Sequence, residues 1–163
     1  MPVPRVAGAV ITVSDRCAAG TAEDRSGPLA AELLAAVGVD AEVTVVPDGV
    51  DSVRAAIRSA VAGGARLVLT TGGTGIAPRD LTPEATGPLL ERELPGVAEL
   101  LRAGGRERVP AAVLGRGLAG ITAGAPGAFV VNVPGSPGAV RDAVGLLGPL
   151  IPHVVDQLAG GAH

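Results

Sequence analysis

Three observations in the sequence predict an α/β fold in three layers, a mostly parallel sheet with helices on both faces and an antiparallel strand at one edge. Short apolar runs of strand length alternate with segments of helical periodicity. The clearest run is apolar throughout and does not alternate, as in a strand covered on both faces. Towards the carboxyl end two apolar runs stand only a short Gly/Pro turn apart, which suits an antiparallel pair at the sheet edge. A chain of 163 residues fits one domain, spanning 1–163, with a core large enough to need no disulfide staples.

Val6–Val13 (VAGAVITV) is the continuous run and reads as the first, buried strand. Ser26-Gly27-Pro28 opens a helix, with Leu29, Leu33 and Val37 along one face and Gly38 as its stop. Residues 42–46 form the second strand, closed by the Pro47-Asp48-Gly49 turn. Asp51 is suited to cap the next helix, which carries Val53, Ile57 and Val61 and ends at Gly63-Gly64. Residues 66–71 are the third strand. Beyond a long loop, Thr82 caps a helix that begins at Pro83, turns Leu89 and Leu90 inward and stops at Pro95.

Helical patterns follow at 96–104 and 111–114, then the strand pair 120–123 and 128–133 around the turn 124–127. Ser136-Pro137 starts the carboxyl-terminal helix, which Pro149 and Pro152 kink or split near Gly148. No repeat, linker or low-complexity tail interrupts the series.

Composition narrows the function. Apolar content of 47% with 18% charge is that of a globular chain. A net charge of −3 and a single aromatic, Phe129, argue against nucleic acid as a partner. The apolar runs are too short to span a bilayer, and no basic-then-apolar leader precedes them. Cys17 is the lone cysteine, so no internal disulfide forms; the expectation is a soluble, cytoplasmic protein.

All thirteen basic residues are arginine. Without lysine there is no phosphate-loop lysine, no Schiff base and no lysine general base. One cysteine and two histidines, His153 and the terminal His163, cannot build a zinc site. His163 is expected to be disordered, and any metal to be hard and oxygen-bound, which points to Mg²⁺.

In a parallel sheet the loops at the carboxyl ends of the strands share one edge, and ligands bind there. Four such loops are rich in polar residues: Ser14-Asp15 with the later Asp24, Pro47-Asp48, the run TTGGTGIAPRDLTPEAT at 70–86, and Asn132-Val133-Pro134-Gly135-Ser136. The last two lead into helices, whose first N–H groups attract phosphate. Gly72, Gly73 and Gly75 let backbone amides close on an anion.

The loop lacks the G-K-[ST] ending of a phosphate loop, and Pro78 breaks the G-x-G-x-x-G spacing. Phosphate charge must then be met by amides, by arginines such as Arg79 and Arg116, or by a metal. Asp48 and Asp80 would repel a nucleotide bare but would bind it when bridged by Mg²⁺.

Each feature also has a plain structural reading. The glycines form a tight turn, Asp48-Gly49 is an ordinary bend, Asp80 is a surface residue, Thr82 and Ser136 are caps, and Cys17 and His153 are structural or exposed. Convergence on one edge favours a site.

The chain resembles the molybdopterin adenylyltransferase family, which includes MogA-type enzymes, the G domain of gephyrin and MoaB-like proteins. The resemblance rests on VSDR at 13–16, EDRSGP at 23–28, VVPD at 45–48, the run at 70–86, ERELPG at 91–96 and VVNVPGSPGAV at 130–140. It implies a three-layer α/β domain that assembles as a homotrimer. It implies Mg²⁺-dependent transfer of AMP from ATP to the terminal phosphate of molybdopterin, with hand-over to a molybdenum-insertion protein.

The family's two principal aspartates fall on Asp48 and Asp80. Carry-over gives Ser14, Asp15, Asp24, Gly72, Gly73, Thr74 and Gly75 to the nucleotide side and Asn132, Pro134, Gly135 and Ser136 to the pterin or phosphate side. Arg79 and Thr82 fit either a ligand or a structural role. The chain departs from the family's Ser-Arg at Gly115-Arg116 and from its Gly-Ile-Arg at Gly120-Ile121-Thr122. These departures keep a second reading open, a non-catalytic molybdopterin-binding protein. A gephyrin-like scaffold is disfavoured because no second domain is seen.

Overall fold

The run Val6–Val13 forms strand β1, second from one edge of a six-stranded sheet; the computed structural model describes residues 4–161. Strand β2 (Val39–Val46) lies outside it and β3 (Leu67–Thr71) inside, both parallel to β1. Strand β6 (Phe129–Val133) continues parallel beyond β3. Next comes β5 (Ala119–Thr122), antiparallel to β6, and β4 (Leu90–Glu93) forms the far edge, antiparallel to β5. The layered sheet with antiparallel pairing towards one edge is therefore as expected.

Helices α2 (Ser26–Ala36) and α6 (Pro137–Leu147) cover one face, and α3 (Val50–Ala62) covers the other together with the short α4 (Thr82–Thr86). Alternation along each strand sorts the core into two sets. Val10, Leu69, Phe129 and Val131 pack with Leu34, Val140 and Leu147. Ile11, Val68 and Val130 pack with Val53, Ile57 and Ala85. Strands β3 and β6 are buried at every position, which is why they carry no charged residue.

Elsewhere the chain differs from the sequence reading. Helix α4 stops at Thr86, because Gly87-Pro88 weakens the helix and removes a donor; a 3₁₀ turn, Gly87–Leu89, leads into β4. Leu89 and Leu90 are half-buried from that turn and strand, not from a helix. Pro95 does not end a helix but opens one, α5 (Pro95–Arg106), at its first position. Gly49, at φ +128, takes the N-cap of α3 in place of Asp51, which lies in the first turn. Leu81 holds the N-cap of α4 in place of Thr82.

On α2 the buried stripe is Ala30 and Leu34, with Leu29, Leu33 and Val37 flanking it. Strand β2 begins at Val39, three residues early. The 111–114 pattern is a 3₁₀ turn, Pro110–Leu114, and a one-turn helix, α1 (Asp15–Ala18), was not foreseen. The carboxyl-terminal helix splits as expected, into α6 and α7 (Ile151–Leu158). His163 lies outside the described residues.

Phe129 is the largest side chain in the core and is 1% exposed. We expect Phe129→Ala to cost about 3–5 kcal/mol, read as a lower denaturant midpoint at unchanged slope.

Candidate active site

Register sets the strand ends level. Val13 stands opposite Val46, Thr12 opposite Thr71, and Thr71 opposite Val133. Ser14, Pro47, Gly72 and Pro134 therefore leave the sheet side by side. Strand β5 runs the other way, so the segment that enters it, 115–118, reaches the same edge. Thr122, at its end, lies at the opposite edge, where its hydroxyl accepts from the Ala128 amide at 2.9 Å. The Thr122 departure thus has no place at this edge, whereas Gly115 borders it.

The glycine turn needs its glycines. Gly72 (φ +110) and Gly73 (φ +68) are left-handed. A Cβ on Gly72 would overlap the Val13 carbonyl oxygen, and one on Gly73 would overlap the Thr82 hydroxyl. A Cβ on Gly75 would lie 2.8 Å from Oδ2 of Asp80. The Gly72 amide donates to the Val133 carbonyl at 2.9 Å, leaving those of Gly73, Thr74 and Gly75 as the turn's amides for an anion. Thr82 ties the turn down from α4: its hydroxyl donates to the Gly72 carbonyl at 2.9 Å and its amide to that of Gly73 at 3.1 Å.

Two loops interlock around the first acid. The Asp15 amide donates to Oδ2 of Asp48 at 3.0 Å, and the Asp48 amide donates back to Oδ1 of Asp15 at 3.1 Å. Oδ1 of Asp48 lies on the Gly73 side. Arg79 donates to Oδ1 of Asp15 and to the Asp48 carbonyl, each at 2.9 Å. Its hydrogen bond, reinforced by its charge, holds the Asp15 carboxyl below the usual range.

Oδ2 of Asp80 accepts from the Ala77 amide at 3.0 Å. Arg116 ties the glycine turn to the backbone of that acid. Its amide donates to the Thr74 carbonyl at 2.8 Å, its Nε to that of Gly75 at 2.9 Å and its Nη2 to that of Asp80 at 2.7 Å, while Nη1 pairs with Glu84. That hydrogen bond lowers the Glu84 carboxyl. Both arginines that the sequence offered to phosphate are therefore engaged with loop backbone and acids.

A cleft of about 590 Å³ opens between this edge and the helices α5 and α6. Ser14, Asp48, Asp80 and all four turn residues, 72–75, border one side, with Asn132, Pro134, Gly135 and Ser136. The opposite side, from α5, the 110–114 turn and α6, is largely apolar, through Ala98, Leu101, Val109, Leu114, Ala139 and Ala143. Arg102, Arg108 and Asp142 also border it, and the sequence reading named none of them. The helical spacing of Ala98, Leu101, Arg102 and Gly105, and of Gly138, Ala139, Asp142 and Ala143, was the one signal for Arg102 and Asp142; Arg108, beyond the end of α5, had none.

Three residues expected at the site are held by hydrogen bonds within the protein. Asp15 stands behind Asp48 and does not border the cleft. Asp24 sits in a second, smaller cavity, where its carboxylate accepts from Thr12 at 2.8 Å and from the Gly27 amide at 2.9 Å. Asn132 is buried; its amide donates to Thr70 and Thr86, both at 3.0 Å, and its oxygen accepts from the Leu118 amide at 3.0 Å. It braces the floor. Ser14 caps α1 and Ser136 caps α6 at the rim, accepting from Cys17 at 3.2 Å and Ala139 at 3.1 Å.

Among the described residues no three or more His, Cys, Asp or Glu gather into a metal cage. A cation at this edge would have Asp48 and Asp80 as carboxylate ligands and take the rest from water or phosphate, the manner in which Mg²⁺ is bound. The donor set fits such an ion.

Residues 9–153 match a family model described as a probable molybdopterin binding domain. The chain is 44% identical over 155 residues to a molybdenum cofactor biosynthesis bifunctional protein of Synechococcus elongatus, covering 94% of this chain and 48% of that one, so it spans about half the length of that relative. It is 42% identical over 148 residues to a molybdopterin adenylyltransferase of Pyrococcus furiosus, covering 90% of this chain and 87% of that one. Among solved structures it is similar to the tungsten cofactor synthesizing protein MoaB from Pyrococcus furiosus, with a TM-score of 0.89, 37% identity and coverage of 97% and 99%.

We expect Gly72→Ala to cost roughly 1–3 kcal/mol from its φ alone, and more from the overlap with Val13, measured by thermal unfolding. Glu84 gives a pH signature. Its folded pKa lies below the ordinary 4.5, so its stabilisation is complete above that value and is lost as pH falls through the lower, folded one. Glu84→Gln is thus expected to be less stable than wild type at neutral pH, with the gap closing in acid; a gap independent of pH contradicts this.

Proposed function

The chain belongs to the family of molybdopterin-binding domains, and on that premise we propose that it acts in molybdenum cofactor biosynthesis as a molybdopterin adenylyltransferase, moving AMP from ATP to the terminal phosphate of molybdopterin and releasing pyrophosphate. The observation that carries this reading is that Asp48, Asp80 and the glycine turn border one side of a cleft whose other side is largely apolar. The first side suits phosphates and the second a flat ring system.

The amides of Gly73, Thr74 and Gly75 and the amino end of α6 hold phosphate oxygens where no lysine is available. Asp48 and Asp80 would hold Mg²⁺, which when bound supplies positive charge against the triphosphate and the departing pyrophosphate. An oxygen of the molybdopterin phosphate forms the new bond to the α-phosphorus as the bond to the β-phosphate oxygen breaks. The chain needs no covalent intermediate; its residues position the two phosphates and offset their repulsion.

A non-catalytic molybdopterin-binding role is the second reading, favoured by Gly115 at the cleft, where no hydroxyl is presented. The family resemblance further supports a trimer, to which the exposed Val43 and Val45 of β2 would offer apolar surface. Among the described residues no helix is long and apolar enough to cross a membrane, consistent with the proposed cytoplasmic action. The name "bifunctional" on a relative twice as long supports hand-over of the product to a metal-insertion step.

Incubation with molybdopterin and Mg·ATP is expected to yield adenylylated molybdopterin and pyrophosphate. Tight molybdopterin binding without product leaves the second reading. Asp80→Ala is expected to lower turnover about 10²–10³-fold with unchanged circular dichroism; loss of the fold would return the loop to a structural role. Light scattering is expected to give three times the 15.9 kDa chain mass, and a monomer mass removes the trimer.

A further inference from the structure

The apolar side of the cleft carries one carboxylate, Asp142 on α6, and the proposed function gives it no task. Asp142 pairs with Arg108 at 2.9 Å, and both border the cleft. The position along α6 is informative. Asp142 stands six residues beyond the cap Ser136, which at 1.5 Å per residue is ~9 Å from the phosphate end. A group bound there is the part of the substrate furthest from its phosphate, which in molybdopterin is the pyrimidine edge of the pterin.

That edge carries a 2-amino group and the N3–H side by side, two parallel donors, with the 4-oxo oxygen next to them. A carboxylate accepts two parallel N–H bonds, and a guanidinium donates to a carbonyl oxygen. We propose, resting on the function assigned above, that Asp142 is the specificity-determining residue for the 2-amino-4-oxo edge of the substrate. Asp142 accepts from the 2-amino group and N3–H, and Arg108 donates to the 4-oxo oxygen. In the free protein each occupies the other in an exposed pair, so neither charge is left buried and alone; Arg108 is 61% and Asp142 24% exposed. Ala139, one turn before Asp142 on α6, leaves room for a flat ring beside the carboxylate.

Two small probes separate the groups. Pterin has the 2-amino group; lumazine, the 2,4-dioxo analogue, has an oxygen there that a carboxylate repels. Wild-type protein is expected to bind pterin at least ~10-fold more tightly than lumazine, the discrimination a bidentate edge contact gives. Asp142→Asn presents one acceptor and one donor, which match N3–H and the 2-oxo oxygen, so its preference should invert towards lumazine. Arg108→Gln loses a contact to an oxygen both probes share, and should weaken both equally. Inversion in one variant and uniform loss in the other is a split that a merely structural pair would not give.

An Asp142→Asn protein that keeps the wild-type ratio, while wild type still transfers AMP to molybdopterin, overturns this assignment alone. Wild-type protein that neither binds pterin nor modifies molybdopterin overturns it together with the proposed function. Should Asp142→Asn lose its fold by circular dichroism, Asp142→Glu is the test variant, and its retention of the pterin preference is required.

Discussion

The left-handed backbone at Gly72 and Gly73 lets the turn after β3 lie against the Val13 carbonyl and under the Thr82 hydroxyl, closer than any side chain would allow. From this approach follows the position of both acids. Asp48 has one oxygen on the Gly73 side, and Asp80 closes over Gly75. The turn is the common wall against which loops from two different strands are placed.

Around it the protein uses arginine as internal bracing. Arg79 locks the Asp15 and Asp48 loops together, and Arg116 binds the carbonyls of Gly75 and of Asp80 itself. Arg102 in turn holds the Gly117 carbonyl from α5 at 3.1 Å, so the apolar side of the cleft is joined to the acid-bearing side through the segment 115–117. A guanidinium suits such work, because its planar fork reaches several carbonyls at once. Arg79 and Arg116, the cations that the sequence offered to phosphate, are thereby engaged within the protein.

Much of this was legible in the sequence for definite reasons. The strands β1, β3 and β6 carry apolar runs without alternation, as strands covered on both faces do, and β1 is so covered over its second half. The placement of Asp48, Asp80 and the glycines on one edge followed from that sheet. Short-range breakers misled at Pro95, which starts a helix as readily as it ends one, and at Pro88, which was not read as a stop. Strand β4 was missed because LERE at an edge has no apolar signature. Asp24, Asn132 and Thr82 show a different limit: a motif shows that a residue matters, yet not whether its hydrogen bonds face a ligand or the protein. Arg108 and Asp142 belong to no motif and became visible only when α5 and α6 closed around the cleft.

The central claim is that Asp48 and Asp80, carried by separate loops, act on one ion and the phosphates beside it. Electron paramagnetic resonance of Mn²⁺, added with a non-hydrolysable ATP analogue, tests it most directly. The account predicts a protein-bound ion that requires the nucleotide and is lost in Asp48→Asn and Asp80→Asn alike. Full retention of the bound ion in either variant would contradict it.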